Sequence, residues 1–395
     1  MSDNCLIVRT PVLDDAQRLV GYELSPYSAS FASAVDDELP TLVTSQLGDR
    51  DSIWQLEGLL LFCKTSPAAL VSPALLQLPP AHTVLRISVH DLHRADLVTQ
   101  VQLLRQHGYR ISLRDADSLP LAQSWLDLAT YVECQIRQGV CSLSPADRDL
   151  LRQAGIRVLA GSIDDVESHA VCVAAGIGGF MTQLPAVQGS KGLNPVQRIV
   201  VQLMDMVHAN RDVQQIEELI KHDAALSYKL FRYINSASFG LGIEIRSLRH
   251  AVTMLGYGPL YRWLSLLLVS TSDEVQNELL MEAAVVRGRL VELIGQSLLP
   301  QNEADNLFVL GMFSLLDRLL GMPMHEVLEQ IHLPDAVAQA LLRREGVYAA
   351  LLSLAEACEH GNGELDKLAH ALFVGVRQIN QAHLSALVWT RQLGI

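Results

Sequence analysis

Four charged residues lie in or directly after segments with the apolar pattern of β-strands. Glu23 and Arg86 lie within such segments, whereas Arg114 and Asp115 directly follow one. Carboxylates are the ligands that hard divalent cations prefer, whereas a guanidinium binds phosphate or carboxylate through paired N–H groups. Two arginines close to two carboxylates would oppose the binding of a cation. Where the fold brings these four residues together, we expect Glu23 and Asp115 to form a polar pair, bridged to the arginines, and no metal site.

The chain lacks the short motifs of several enzyme classes. It has no GxSxG, no Walker loop, no CxxC and no complete GxGxxG. In the His-Asp dipeptide His222-Asp223, we interpret Asp223 as a helix cap. His325 is followed by Glu326 as in HExxH, but the next histidine is His332, too far along to share the helix face. The six scattered cysteines are typical of reduced, buried thiols.

Composition and charge limit the classes of protein to which this chain can belong. A chain of 395 residues exceeds most single domains, and 49% hydrophobic with 18% charged residues predicts large buried cores. The formal net charge of -13 disfavours general attraction to nucleic acid or to an anionic membrane. We find no signal peptide and no apolar stretch of membrane-spanning length. A cytoplasmic protein is expected.

The first half of the chain alternates strand-like and helix-like segments, which predicts a parallel α/β sheet. A hairpin is expected around Asp14–Ala16, between the first two strands. The pattern alone leaves a closed barrel and an open sheet as alternatives. The strand candidates are Leu6–Val12, Leu19–Leu24, Val84–Val89, Arg110–Leu113, Tyr131–Ile136, Arg157–Gly161 and Gly179–Gln183.

A change of pattern follows residues 188–195, QGSKGLNP, whose glycines and proline predict a linker. Strand signals are absent beyond it. Apolar residues recur at helical spacing from Val213 to Ile234, and Ser247 is placed to cap another helix. We therefore predict one domain over residues 1–187, a linker over 188–195 and an all-α domain over 196–395.

The strand segments of the first half carry a recognisable series of motifs. The order of the segments resembles an EAL domain, a family with a TIM-like barrel that hydrolyses cyclic di-GMP with two divalent metals. A complete barrel of this kind takes ~250 residues, so we expect missing or shrunken helices between Pro26 and Pro80. The matching segments are Gly21–Leu24, Leu85–Val89, Leu113–Ala116, Tyr131–Gln135, Val158–Asp164 and Gly179–Phe180.

Most ligand positions of the EAL family are occupied by other residue types. Glu23 falls on the Glu that names the family, and Asp115 retains one Asp of a pair. Other residue types fill the remaining positions: Arg86 for a metal-binding Glu, Arg114 for an Asp, Glu133 for a Lys, Gln135 for an Asp and Gly161 for a Glu. The resemblance therefore implies a degenerate barrel without metal or catalytic residues.

The second half resembles an HDOD domain, a relative of the HD phosphohydrolases without their metal-binding dyad. Four segments carry the match: Asp223–Gly240, Ser247–Trp263, Phe308–Leu316 and Met324–Leu328. The last two resemble the YuxH-like proteins, which join an EAL domain to an HDOD domain. Ser314 and Leu315 occupy the place of the dyad, and Arg287 occupies that of a His ligand.

The HDOD motif residues Asp223, Asn235, Ser236 and Gly256 are interpreted as structural. For Asn235-Ser236, helix termination is preferred, and a partner-contact loop from Asn235 to Arg246 is the alternative. The predicted fold class is α/β plus all-α, a degenerate, shortened TIM-like EAL barrel followed by an all-helical HDOD domain.

The function expected from the sequence is a non-enzymatic regulator or scaffold in bacterial signal transduction. It would act on other signalling proteins, with homodimerisation left open and no membrane or nucleic-acid partner. We expect no catalytic residue, metal or cofactor. The alternative is a sensor that binds cyclic di-GMP or another nucleotide in the barrel without hydrolysing it, because Arg86 and Arg114 are suited to bind phosphates without a metal.

Overall fold

The computed structural model describes most of the chain in two compact units. Unit 1 comprises Met1–Ala186, Ala357–Asp366 and Gly375–Gln381, and unit 2 comprises Val187–Glu356, Lys367–Val374 and Ala382–Ile395. The described residues are 5–27, 43, 58–116, 123–137, 140–163, 166–182, 192–221, 223–236, 245, 247–270, 276–300, 303–361 and 364–393. His222 and residues 188–191 of the predicted linker lie outside them.

Unit 1 is built on a sheet of nine strands. The hairpin predicted around Asp14–Ala16 is confirmed, with the Asp14 carboxylate accepting hydrogen bonds from the Ala16 and Arg18 N–H groups at 3.0 and 2.9 Å. The strands are β1 (Leu6–Asp14), β2 (Leu19–Tyr27), β3 (Leu60–Lys64), β4 (Thr83–Ser88), β5 (Arg110–Arg114), β6 (Tyr131–Arg137), β7 (Val140–Cys141), β8 (Arg157–Ile163) and β9 (Gly179–Thr182).

The sheet closes into a barrel of eight strands. Its order is β5-β4-β3-β2-β1-β9-β8-β6, and the ring closes because β5 also pairs with β6. Strand β1 is antiparallel to β2 and to β9, whereas the other neighbouring strands in the ring are parallel. The short β7 pairs with β6 outside the ring. The strand pattern alone allowed a closed barrel or an open sheet, and the closed ring shows that unit 1 is a barrel.

Short helices connect several of the strands. They are α1 (Pro67–Leu70), α2 (Ala95–Gln106), α3 (Gln123–Leu126), α4 (Pro145–Gln153) and α5 (Val166–Ala174). Two of these have only four residues, and α1 lies in the interval where shrunken helices were expected. The sequence prediction missed β3, which lies in the same interval. Residues 28–42 and 44–57 are outside the described part of the chain.

An apolar layer fills the interior of the barrel. Side chains from six strands form it: Val12, Leu60, Phe62, Val84, Tyr131, Leu159 and Met181. Successive side chains of a strand point to opposite faces, so a residue two positions further along shares the direction of its predecessor. Arg86 therefore follows Val84 into the interior, and Glu133 follows Tyr131. Polar side chains are stacked on this apolar layer towards the carboxyl ends of the parallel strands.

Two distant segments of the chain belong to unit 1 and contact the start of β1. The buried Asn380 side chain accepts a hydrogen bond from the Ile7 N–H and donates one to the Cys5 carbonyl, each at 2.8 Å. The buried Arg9 guanidinium lies 3.2 Å from the Glu359 carboxylate. Strand β9 pairs only with the end of β1, so the Asn380 amide satisfies backbone groups that β9 leaves unpaired.

In unit 2, the described residues from 192 to 356 form helices and no strand. The predicted fold class, an α/β barrel followed by an all-helical domain, is confirmed. The helices are α6 (Pro195–His208), α7 (Val213–Lys221), α8 (Ala224–Ile234), α9 (Leu248–Leu255), α10 (Tyr257–Ser270), α11 (Gln276–Gly295), α12 (Ala304–Phe313), α13 (Leu316–Leu320), α14 (Met324–Gln330), α15 (Asp335–Arg343), α16 (Gly346–His360), α17 (Leu365–Ala371) and α18 (Val376–Gln392). Within the described part of the chain, no helix has the length and apolar character needed to cross a membrane.

Candidate functional site

A buried guanidinium between two carboxylates occupies the upper layer of the barrel interior. Arg86, 8% exposed, donates from Nε and Nη2 to the two oxygens of Glu133, each at 2.7 Å. Its Nη1 donates to Glu23 from the opposite side. The Ser112 hydroxyl donates to Glu133 at 2.8 Å, and the Ser25 hydroxyl donates to Glu23 at 3.2 Å. One positive charge therefore bridges two negative charges through charge-assisted bonds.

The barrel topology brings these residues together. Glu23 comes from β2, Arg86 from β4 and Glu133 from β6, and Ser112 on β5 lies in register with Arg86. All four strands run parallel, so their carboxyl ends meet at one mouth of the barrel. This end carries the active sites of barrel enzymes because loops from several strands converge there.

A second polar contact lies further towards the same mouth. The Ser88 hydroxyl donates to the Asp115 carboxylate at 2.6 Å. Asp115 directly follows β5 and has φ 59°, in the left-handed region that side chains with a Cβ rarely adopt. Strain of this kind concentrates at functional sites. Arg114 is half-buried, and its Nε is buried without a hydrogen-bond partner among the described residues.

The sequence prediction identified part of this arrangement. Glu23 does contact Arg86, but the described contact of Asp115 is with Ser88. Glu133, the partner that holds Arg86 in two bonds, was noted only as a replacement and not as a site residue. A signal for it existed, since Glu133 is two residues beyond the buried Tyr131 and therefore shares its inward direction.

The residues of this layer do not fit the two divalent metals that an EAL resemblance implies. A pair of close cations needs several carboxylates to offset its charge. Here the Arg86 guanidinium already occupies the space between Glu23 and Glu133. In the described part of the chain, no three His, Cys, Asp or Glu side chains are grouped as a metal site.

Unit 2 brings together two positions that the HDOD resemblance singled out. The buried Arg287 donates from Nη1 to the Ser314 hydroxyl at 2.8 Å and lies 3.4 Å from Glu356. Ser314 in turn donates to the Gly311 carbonyl at 2.7 Å. Leu315 is buried and apolar. The resemblance places metal ligands of an HD enzyme at these positions. In this chain they are occupied by an arginine and by the hydroxyl to which it donates.

The HDOD signature residues hold helix ends and a loop. Asp223 accepts a hydrogen bond from the Leu226 N–H at 2.9 Å and so caps α8. Asn235 accepts from the Ile245 N–H at 2.7 Å and donates to the Ile245 carbonyl at 2.9 Å. Ser236 donates to the Tyr233 carbonyl at 2.9 Å. Gly256 ends α9 with φ 83°, a conformation that suits glycine.

A search with protein-family models identifies an HDOD domain over residues 193–327. The cyclic di-GMP phosphodiesterase CdgJ of Vibrio cholerae is 26% identical over 98% of this chain and 92% of its own length. The uncharacterized protein YuxH of Bacillus subtilis is 22% identical over 98% of each chain. Both relatives therefore align with the barrel and the helices together, as the predicted EAL-HDOD arrangement requires.

Two solved structures with detectable similarity each cover less than half of this chain. Klebsiella pneumoniae BlrP1, in a manganese and cyclic di-GMP complex, gives a TM-score of 0.37 at 16% identity over 45% of this chain and 54% of its own. A standalone EAL protein from Vibrio cholerae O395, bound to cyclic di-GMP, gives 0.36 at 14% identity over 46% and 91%. TM-scores this low carry no argument about function. The assignment of the fold rests on the order and closure of the strands in the sheet.

The comparison with CdgJ corrects one prediction. We expected a protein that is not an enzyme, because most EAL ligand positions hold other residues. A protein named as a phosphodiesterase nevertheless aligns with nearly the whole chain. The prediction of a non-enzymatic protein is therefore contradicted. Its error was to infer inactivity from missing ligands alone.

Proposed function

The chain carries an HDOD domain after an eight-stranded α/β barrel, and from this arrangement we propose that it is a signalling protein that binds and hydrolyses cyclic di-GMP at the barrel mouth. The observation that carries the proposal is the alignment of 98% of the chain with a protein named cyclic di-GMP phosphodiesterase. The buried charged layer supports the mouth as the site. In this proposal, the HDOD domain transmits the nucleotide signal to other signalling proteins.

Two arginines at the mouth are suited to bind the phosphates of a cyclic dinucleotide. A guanidinium has five N–H groups, and the bonds from Arg86 to Glu23 and Glu133 use three of them. Arg114 has a buried Nε without a partner among the described residues. Paired N–H donors match two oxygens of one phosphate, and they gain strength where water is excluded.

Hydrolysis needs a proton acceptor as well as a positive group. A water oxygen forms a new bond to phosphorus while the bond from phosphorus to one ribose oxygen breaks. The water's proton passes to a carboxylate, and the leaving ribose oxygen takes up a proton. Glu23 and Glu133 are carboxylates of the layer, and each lies beside the guanidinium that would bind the phosphate. General-base catalysis by such a group is worth ~10²–10⁴-fold in rate.

The test is a chromatographic assay of the full chain with cyclic di-GMP, paired with calorimetric binding. We expect a linear dinucleotide product from the wild type. Arg114→Ala should weaken nucleotide binding, and Glu133→Gln should reduce product formation. Arg110→Ala is the matched control, because Arg110 lies at the opposite end of the same strand, β5. Both activities should survive in this control.

Three outcomes contradict the proposal. Absence of binding by the folded wild type excludes the mouth as a cyclic di-GMP site. Binding without any linear product, with or without Mg²⁺ or Mn²⁺, excludes hydrolysis. Equal loss in Arg110→Ala and Arg114→Ala would show that charge in general, and not the mouth, is responsible.

A further inference from the structure

The charged layer of the barrel already contains a cation, namely the guanidinium of Arg86. It lies between carboxylates from two different strands, with its Nε–Nη2 edge on Glu133 and its Nη1 on Glu23. These positions around a central positive group are those that carboxylate ligands take around a metal ion. The Ser112 hydroxyl completes the surroundings of Glu133 and fixes its orientation.

We propose that Arg86 is a tethered replacement for a divalent cation, so that the barrel mouth binds the phosphate of its ligand without a metal. The guanidinium supplies positive charge at a fixed place, and its remaining N–H groups are available to an incoming phosphate oxygen. A metal ion would have to displace a side chain that makes two bonds of 2.7 Å to one carboxylate.

The charge balance explains why arginine and metal exclude each other here. Glu23 and Glu133 together carry two negative charges, and Arg86 neutralises one of them. Lys64 on β3, in register with Arg86, shares the inward direction of Phe62 and adds a further positive group on this side of the barrel. Adding a doubly charged cation beside these groups is unfavourable. Removing Arg86 leaves two partly buried carboxylates that need a counter-ion.

Cation binding is measured calorimetrically with MnCl₂ and no nucleotide, on the full chain. We expect no Mn²⁺ binding by the wild type or by Arg86→Lys, which keeps the positive charge. Arg86→Ala should gain a site with a dissociation constant on the order of 10⁻³ M or tighter. The double variant Arg86→Ala/Glu133→Gln should lose that gain, because one of the two carboxylates is then neutral.

Circular dichroism and the control Arg110→Ala separate this effect from misfolding. If Arg86→Ala does not fold, the titrations of the wild type and of Arg86→Lys still show whether a positive side chain at this position excludes Mn²⁺. Mn²⁺ binding by the wild type that Glu133→Gln abolishes would overturn the inference. A folded Arg86→Ala protein that binds no Mn²⁺ would overturn it as well.

The phosphate-binding part of this inference rests on the proposed function, and a chelator distinguishes their failures. Product formation that persists in EDTA supports both. Product formation that stops in EDTA and returns with Mn²⁺ upholds the proposed function and overturns the tethered cation. A chain that neither binds nor hydrolyses cyclic di-GMP, while Arg86→Ala still gains Mn²⁺, overturns the proposed function and leaves the charge replacement standing.

Discussion

The barrel and the helical unit each contain a buried arginine held by a glutamate in two bonds. In the barrel, Arg86 contacts Glu133 at 2.7 Å through two nitrogens. In the helical unit, Arg262 on α10 contacts Glu292 on α11 with the same two distances. The two pairs therefore join the same chemical groups at the same distances, although Arg86 donates from Nε and Nη2 and Arg262 from Nη1 and Nη2.

Their surroundings differ. The face of the Arg262 guanidinium lies 3.9 Å from the centre of the Phe308 ring, and the Trp389 ring centre is 5.4 Å away. Aromatic rings therefore cover this arginine within the helical packing, as a cation–π contact does. Arg262 also has a second carboxylate, Asp305, at 3.7 Å, whereas the second carboxylate of Arg86, Glu23, accepts a hydrogen bond from it, and Arg86 lies in the layer above the apolar interior of the barrel. We infer that the Arg262 pair specifies helix packing, whereas the Arg86 pair serves a ligand.

The largest expected effect comes from breaking the covered pair in the helical unit. Glu292→Ala removes the nearest carboxylate of the buried Arg262, leaving Asp305 at 3.7 Å, and also removes the partner of Arg289, so it should destabilise unit 2 by ~3–5 kcal/mol. Urea unfolding followed by tryptophan fluorescence measures the loss, because Trp263 and Trp389 lie in this unit.

The double variant Arg262→Met/Glu292→Leu is the matched control for this experiment. Replacing both partners by apolar residues of similar volume removes the buried guanidinium together with its nearest carboxylate and should restore most of the stability. A double variant that remains as unstable as Glu292→Ala would show that the pair does more than specify packing.

The same contrast shows what the sequence alone could reveal. The strands were predicted because each is a short apolar run bounded by turn residues. Strand β3, Leu60–Lys64, is also a short apolar run, but it was not among the predicted strands. Closure of the ring was predicted through the resemblance to the EAL family and not from the strand pattern, because it depends on the pairing of β5 with β6 and not on any one segment.

Long-range partners of the site residues were also beyond the sequence. Arg86 was placed within a strand, but Glu133 is 47 residues further along and becomes its partner only through the barrel order. Asn380 is 373 residues from Ile7, and no local pattern indicates that it bonds the backbone of β1. Residue type and strand direction were therefore predictable, whereas the pairing of charges required the fold.

A smaller effect is expected from breaking the pair in the barrel. Glu133→Ala leaves Arg86 bonded to Glu23, so its charge stays compensated. We expect a loss of ~1–3 kcal/mol, the usual cost of removing a partner from a charged hydrogen bond. Urea unfolding measures this loss beside that of Glu292→Ala, and calorimetry with cyclic di-GMP measures ligand binding.

The two pairs are distinguished by comparing, for each variant, the loss of ligand binding with the loss of stability. Glu133→Ala should reduce ligand binding more than stability, whereas Glu292→Ala should do the reverse. Ser112→Ala is a control within the barrel, because it removes one bond to Glu133 and leaves both charges in place. Equal losses of stability at Glu133 and Glu292 would remove the distinction between a ligand site and a packing pair.

The smallest expected effect is on the stability of unit 2, and it depends on pH. It comes from a neutral hydroxyl group that donates a hydrogen bond to a carboxylate. The Tyr348 hydroxyl donates to Glu303, and the Asn306 amide donates to the same oxygen at 3.0 Å. The hydrogen bond from Tyr348, with a further contribution from Asn306, lowers the pKa of Glu303. A carboxyl whose pKa is lowered by folding stabilises the fold above its ordinary value of ~4.3, and this contribution is lost as the pH falls through the folded value.

Tyr348→Phe should therefore cost about 1 kcal/mol at neutral pH, and the cost should shrink on acidification. Thermal unfolding of wild type and variant from pH 7 down to pH 3 measures the difference between their free energies of unfolding. Asn306→Ala is the control, and its loss should follow the same pH course because Asn306 donates to the same oxygen. A difference that stays constant with pH would mean that the Tyr348 hydroxyl does not favour the ionised form of the Glu303 carboxylate.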